Sequence, residues 1–198
     1  MLLNKPLHAK DLQLNLKQIS EEQIYLNELN DQNNWSELCA NYKLSEEIIE
    51  QFANKVNWCR VSACQHLSEE FMEKHKDKVD WEYISEYQVL SEEFIEKHSN
   101  RVFWSIISMY QDLSEEFIEK HKDKIDWECI SEGQKLSESF IEKHKQDVNW
   151  NNISYYQTFS EEFVKKFKHK INNSLFIRNS NLSKTFRQKM EINYLQDW

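Results

Sequence analysis

The chain is nearly empty of the two residues that ordinarily punctuate a fold: its 198 residues include one glycine, Gly133, and one proline, Pro6. Phosphate-cradling loops and the dinucleotide fingerprint need glycine where backbone approaches the ligand, so a nucleotide-binding fold of those types is excluded. The tight turns of an all-β domain draw on the same residues, and their scarcity points to an all-helical chain. Four cysteines, Cys39, Cys59, Cys64 and Cys129, form no CxxC pair and show no spacing matched to histidine. They signal neither zinc nor a disulfide framework and fit a reducing, cytoplasmic setting. Long apolar runs are also missing. The most apolar stretch, residues 102–110, contains two serines, and the opening MLLNKPLHAK lacks an apolar signal core. A soluble, unexported protein without a membrane partner is expected. Positive charge is in deficit, 25 Lys and Arg against 34 Asp and Glu for a formal charge of −9, which argues against a dedicated DNA or RNA binder.

What the chain does have is a repeat. Tryptophans stand at 35, 58, 81, 104, 127 and 150, five successive differences of 23, and Leu-Ser-Glu begins at 44, 67, 90, 113 and 136. From Leu90 the unit reads LSEEFIEKHSNRVFWSIISMYQD, and from Leu113 LSEEFIEKHKDKIDWECISEGQK. The copy from Phe159 is degenerate, with Asn173 in place of tryptophan, and a last copy starts at Leu182. Upstream, Ile19-Ser20-Glu21-Glu22 opens a looser copy. About seven units result, divided as an N-terminal helical cap with a divergent repeat (1–43), five regular repeats (44–158), and a degenerate repeat with a C-terminal cap (159–198).

Two helix-start signals recur in each unit. Ser68 is an N-cap followed by Glu69 and Glu70, and Asp80 caps a helix opened by Trp81. Asn54, Asp77, Asn100 and Asp123 share one phase between the helices, a place for residues that tolerate left-handed backbone. On the first helix Phe71, Met72, His75 and Val79 share a face; on the second, Trp81, Ile84, Ser85 and Gln88 do. So small an apolar face cannot be buried within one unit. Neighbours must stack, and the expected fold is all-α, an α-solenoid of 23-residue helix-turn-helix repeats, curved or superhelical.

The run LSEEFIEKH, a DKVDW-type corner and the following Ile-Ser resemble uncharacterised short helical repeats in proteins of phages, giant viruses and low-GC bacteria, over residues 44 to 158. The resemblance implies a viral or mobile-element setting. Among small acidic phage proteins it further implies an inhibitor of bacterial immunity of the anti-CRISPR kind, acting in the host cytoplasm.

Several constellations have a structural explanation. His75, His98, His121 and His144 occupy one phase, but rings about one helix-packing distance apart, ~8–10 Å, cannot share a zinc ion with bonds of about 2.0–2.1 Å. Phe52 and Phe167 take the same slot. These histidines are expected to be buried and neutral, so that acid destabilises the array. The tryptophans share a face with Ile84-type residues and are expected to wedge between units. The glutamate pairs Glu46-Glu47, Glu69-Glu70, Glu92-Glu93, Glu115-Glu116 and Glu161-Glu162 sit in first turns, where the helix dipole favours anions; docking to a basic partner is the other reading. No nucleophile–base pair, metal motif or cofactor loop is present, so the expectation is no enzyme, no cofactor and no small-molecule substrate.

The outward phases of the second helices vary most. Arg60, Tyr83, Glu86, Ile106, Met109, Glu128, Glu132, Asn152 and Tyr155 are the candidate partner-binding residues, with Ile106, Met109 and Tyr155 expected to be exposed. The leading expectation is a non-enzymatic protein-binding solenoid that sequesters or blocks a larger protein or nucleoprotein. The alternative is binding of RNA or single-stranded DNA along the column of Lys74, Lys76 and Lys78 and their counterparts.

Overall fold

The computed structural model describes residues 35–195, so the looser repeat copy at Ile19 lies outside the described residues. Among the described residues there are fourteen α-helices, a terminal π-helical turn at Glu191–Leu195 and no strand. The chain divides into two compact units, Met1–Val79 and Asp80–Trp198. Their boundary falls inside a regular repeat. Unit one holds helices Trp35–Asn41, Glu46–Gln51, Trp58–Cys64 and Glu69–Lys74. Unit two continues the alternation with Trp81–Tyr87, Glu92–Lys97, Trp104–Tyr110, Glu115–Lys120, Trp127–Gly133, Glu138–Lys143, Trp150–Tyr156 and Glu161–Phe167. The degenerate end follows as Asn173–Phe176 and Lys184–Met190. Within each unit the 23-residue helix-turn-helix repeats pack against their neighbours, the α-solenoid that the period implies. The tryptophan-led second helices pack directly on one another.

Local chemistry sets the helix ends. Ser68, Ser91, Ser114 and Ser137 each accept the N–H three residues on, at 3.1 Å, as N-caps. Asp126 Oδ1 accepts the N–H groups of Glu128 and Cys129 at 2.9 and 3.2 Å. First helices end without glycine because His75, at φ −109° and ψ 23°, lies in backbone open to any L residue. Its carbonyl accepts the N–H groups of Lys78 and Val79 at 2.8 and 3.0 Å. The following tryptophan closes the corner. Indole Nε1 of Trp58, Trp104 and Trp150 donates to the carbonyls of Ala53, Ser99 and Lys145 at 3.0, 2.9 and 3.0 Å. In the degenerate repeat Asn173 has no such ring, and the second helix shrinks to the four residues Asn173–Phe176.

Three kinds of contact join one repeat to the next. The first is apolar. Each regular helix buries one aliphatic side chain completely, Ile84, Ile95, Ile107, Ile118, Ile130, Ile141 and Ile153 in unit two and Ile49, Val61 and Met72 in unit one. Each contributes about 1.5–3 kcal/mol. The second is aromatic. Trp58 packs on Phe71 and His75 of the next repeat at 6.2 and 4.8 Å, and Trp127 on Phe140 and His144 at 6.3 and 4.7 Å. Cations cover the outer side of several indoles, Lys124 over Trp104 at 5.4 Å and Lys170 over Trp150 at 5.5 Å.

The third kind is polar and buried. Gln111 donates from Nε2 to the carbonyls of Ser85 and Gln88 at 2.9 and 2.7 Å and accepts the Leu90 N–H at Oε1, 3.0 Å. Gln134 and Gln157 repeat the three bonds one and two units on, and Gln65 does the same in unit one. Beside this column Ser108 Oγ donates to the Trp104 carbonyl at 2.6 Å and accepts the Asp126 N–H of the next repeat at 3.0 Å. Ser131 and Ser154 are bonded in the same way.

The glutamates stand in first turns as expected and also tie repeats together. The first member of several pairs does more than face a helix dipole: Glu115 accepts the N–H and hydroxyl of Ser137, the next repeat's N-cap, at 2.6 and 3.0 Å, and Glu46 binds Ser68 likewise. A later glutamate of the same helix bridges to the next first helix. Glu119 takes Lys143 at 2.7 Å and His144 Nε2 at 2.7 Å, and Glu50 takes Lys74 and His75. These partners hold the Glu50 and Glu119 carboxyls below the usual range, the lysine foremost. His121 differs. Its Nε2 is buried without a partner, Glu96 being turned to Lys120, and burial lowers its pKa.

Two outcomes follow from this packing. Gln111→Leu strands two carbonyls and one N–H at a repeat junction and lowers stability by about 3 kcal/mol or more in urea denaturation. His121→Phe keeps a ring in the slot that Phe167 fills against Trp150 at 5.3 Å and removes a group that resists protonation. A histidine with a depressed folded pKa contributes no penalty above its ordinary value of 6.5 and costs stability as pH falls below it. The melting temperature of the variant relative to wild type therefore rises by roughly 1–3 °C between pH 7.5 and 5.5. A pH-independent difference would refute that assignment.

Candidate functional site

The tie positions described above all lie inside the stack or along the first helices. What remains is the outer side of the second helices, where the sequence singled out nine residues. In unit two Tyr83 and Glu128 are exposed, while Glu86, Glu132 and Asn152 are half-buried. Ile106, Met109 and Tyr155 were expected to be exposed and are half-buried instead. They point outward from their own helices but lie on helices that pack side by side with neighbours. Arg60, in unit one, is exposed on helix Trp58–Cys64, its N–H capped by Asn57 Oδ1 at 3.1 Å.

Three exposed tyrosines lie one phase further along. Tyr87 is 54% exposed, Tyr110 61% and Tyr156 36%, all at the last position of a second helix. With 87, 110 and 156 at one phase, the fourth member of the set is Gly133. The signal was present in the sequence as three tyrosines in register, adjacent to the inward-facing glutamine. Phe103, at the N-cap of helix Trp104–Tyr110, adds another exposed ring. Tyr83 stands beside Tyr87 with ring centroids 6.1 Å apart, and Tyr155 meets Tyr156 edge to face at 4.8 Å.

Carboxylates act on two phenols of this row. A hydrogen bond to Glu86 raises the Tyr87 hydroxyl pKa, with added effects from the Glu86 charge and from Tyr83 and Tyr110. Tyr156 is raised in the same way by Glu132. Both phenols therefore stay protonated as donors at neutral pH. Asn152 links adjacent helices, its Nδ2 donating to the Glu128 carbonyl at 3.1 Å and lying 3.5 Å from Glu132 Oε2. Of the nine candidates, Glu128, Glu132 and Asn152 are thus brought together, and Tyr83 and Glu86 flank Tyr87. The face is aromatic with a carboxylate fringe of Glu82, Glu86, Glu128 and Glu132.

Gly133 breaks the row for a steric reason. A Cβ built on it would lie 2.3 Å from the Met109 carbonyl oxygen, so only glycine permits this approach of helix Trp127–Gly133 to helix Trp104–Tyr110. A surface pocket of about 460 Å³ lies beside this residue, bordered by Glu132, Gly133, Lys135, Tyr156, Thr158 and Asn181.

Among the described residues no group of three or more His, Cys, Asp or Glu is placed to hold a metal ion, and no helix is long and apolar enough to cross a membrane. None of the four cysteines is in a disulfide; burial raises the thiol pKa of Cys39 and Cys129. No protein-family model, curated protein or solved structure matches the chain.

Gly133→Ala sets two magnitudes against each other. Alanine favours a helix by about 0.8–1.0 kcal/mol, but overpacking against backbone that is itself helical costs about 1–3 kcal/mol or more. The contact at 2.3 Å is with main chain rather than a flexible side chain, so the second effect wins. The variant is expected to be less stable than wild type in chemical denaturation; a gain in stability would refute the close approach.

Proposed function

We propose that the chain is a non-enzymatic binding protein whose outer second-helix face covers a basic surface on a protein or nucleoprotein partner and thereby sequesters or blocks it. The observation that carries this reading is the exposed tyrosine row of Tyr87, Tyr110 and Tyr156 inside a fringe of glutamates. Tyrosine supplies large, stiff contact area with a polar tip, the character of an interface anchor. A carboxylate fringe speeds encounter with a basic partner and disfavours an acidic one. The resemblance of the repeats to those of phages and giant viruses adds a setting. A defence effector presenting a basic surface meant for nucleic acid is a partner of this chemistry, and anti-CRISPR-like inhibition is the form the blocking takes.

The nucleic-acid alternative needs a column of available cations. The observed lysines favour it little, since Lys74, Lys120 and Lys143 are ion-paired to Glu50, Glu96 and Glu119 of the preceding repeat, and Lys166 is paired to Glu142.

The test is capture on immobilised protein from a lysate of the cell that hosts it, treated with nuclease, with the triple variant Tyr87→Ser, Tyr110→Ser, Tyr156→Ser as comparison. A protein retained in stoichiometric amount by wild type, and about 100-fold or more weaker on a variant with unchanged circular dichroism, is the expected outcome. Retention of no protein, or equal retention by both, removes the reading.

A further inference from the structure

The pocket at Gly133 has a chemistry that the rest of the tyrosine row lacks. Beside the bare helix end at Gly133 lies a space of about 460 Å³, within the range of ~300–1,000 Å³ for pockets that take small ligands. One wall is the Glu132 carboxylate. It lies 3.5 Å from Asn152 Nδ2, which makes it an oriented acceptor rather than a waving surface charge. The Tyr156 side stands next to it, its main chain fixed by Asn181 Nδ2 donating to the Tyr156 carbonyl. Thr158 contributes a hydroxyl to the border.

A positioned carboxylate beside an aromatic ring is suited to a planar cation. A guanidinium can lie against the ring while its N–H groups meet the carboxylate in a fork, whereas an ammonium satisfies the charge but not the plane. We propose that this pocket is a socket for an arginine side chain of the partner, the anchor point of the acidic tyrosine face. The inference rests on the protein-binding reading of that face and specifies its partner as an arginine-bearing segment. Lys135 on the border is a like charge. It weakens the socket and gives the proposal a sign that a merely sticky hollow would not have.

The experiment uses the full chain and three probes, N-acetyl-arginine amide, its uncharged near-isostere N-acetyl-citrulline amide, and N-acetyl-lysine amide, followed by NMR shifts of the Gly133, Tyr156 and Thr158 amides. The arginine probe is expected to saturate with millimolar affinity and to bind about tenfold tighter than citrulline, with lysine between them. Glu132→Gln should weaken the arginine probe about fivefold or more, and Lys135→Ala should tighten it about two- to threefold. Both are border substitutions, and unchanged circular dichroism verifies that they fold. Equal binding of arginine and citrulline, or an arginine affinity unchanged by Glu132→Gln, overturns the socket. Because the probes need no partner, the two readings fail separately. A partner lost on tyrosine substitution beside an indifferent pocket sinks the socket alone, and a selective pocket with no partner captured sinks the interface and with it the assignment of the arginine to a partner.

Discussion

A primary amide carries two N–H donors and one carbonyl acceptor, and the buried glutamines of this stack commit all three to main chain at the junction with the preceding repeat. The reason lies in helix length. A seven-residue helix consists almost entirely of end residues, whose carbonyls have no partner within the helix, and so short a segment is not stable alone. Gln111 closes the end of helix Trp81–Tyr87 by taking the carbonyls of Ser85 and Gln88, and it fixes where the chain goes next by holding the Leu90 N–H. Each second helix is thus completed by its successor. Within a unit, stability is a property of junctions more than of single repeats, the behaviour expected of a linear array.

The other ties work around the same junction. Ser108 holds the N-terminal end of the following second helix while Gln134 holds the C-terminal end of the preceding one, Trp104–Tyr110, and the indoles fill the apolar gap toward the next first helix. On the first helices, glutamate reaches forward to the next N-cap serine, and lysine and histidine reach back. This division of labour accounts for the distribution of variation in the sequence. Positions tied to a neighbour repeat with little change, and change is concentrated where a side chain has no such duty, on the outer side of the second helices.

Much of the fold was legible because its signals are local or periodic. Ser68 and the residues after it announce an N-cap, Asp80 and Asp126 announce a second, and tryptophan every 23 residues announces a contact that recurs. The glutamine clasp was not legible. Helical spacing puts Gln111 inward, but an amide can meet many partners and the sequence does not say that these are two carbonyls of another repeat. Glu115 had the same ambiguity, since an anion in a first turn is explained by the dipole alone, and its bond to Ser137 needs the third dimension. On the candidate face, outward phase was read as exposure. Side-by-side packing half-covers Ile106, Met109 and Tyr155, while Tyr87 and Tyr110, next in sequence to the inward glutamine, are the rings left in solvent.

Gly133 shows how one departure from the repeat alters packing and surface together. Tyrosine at this phase is compatible with the stack, as Tyr87, Tyr110 and Tyr156 demonstrate, so the architecture as such does not require glycine there. Glycine in a helix is less favourable than alanine by about 0.8–1.0 kcal/mol, and here it is accompanied by an approach to the Met109 carbonyl that no side chain permits. The same residue borders the pocket that Glu132 and Tyr156 line. A local change that tightens one helix pair therefore sits at the border of a pocket, beside a carboxylate that Asn152 approaches at 3.5 Å. In an array built from near-identical copies, chemical individuality has to come from such departures, because anything present in every copy is shared by every junction.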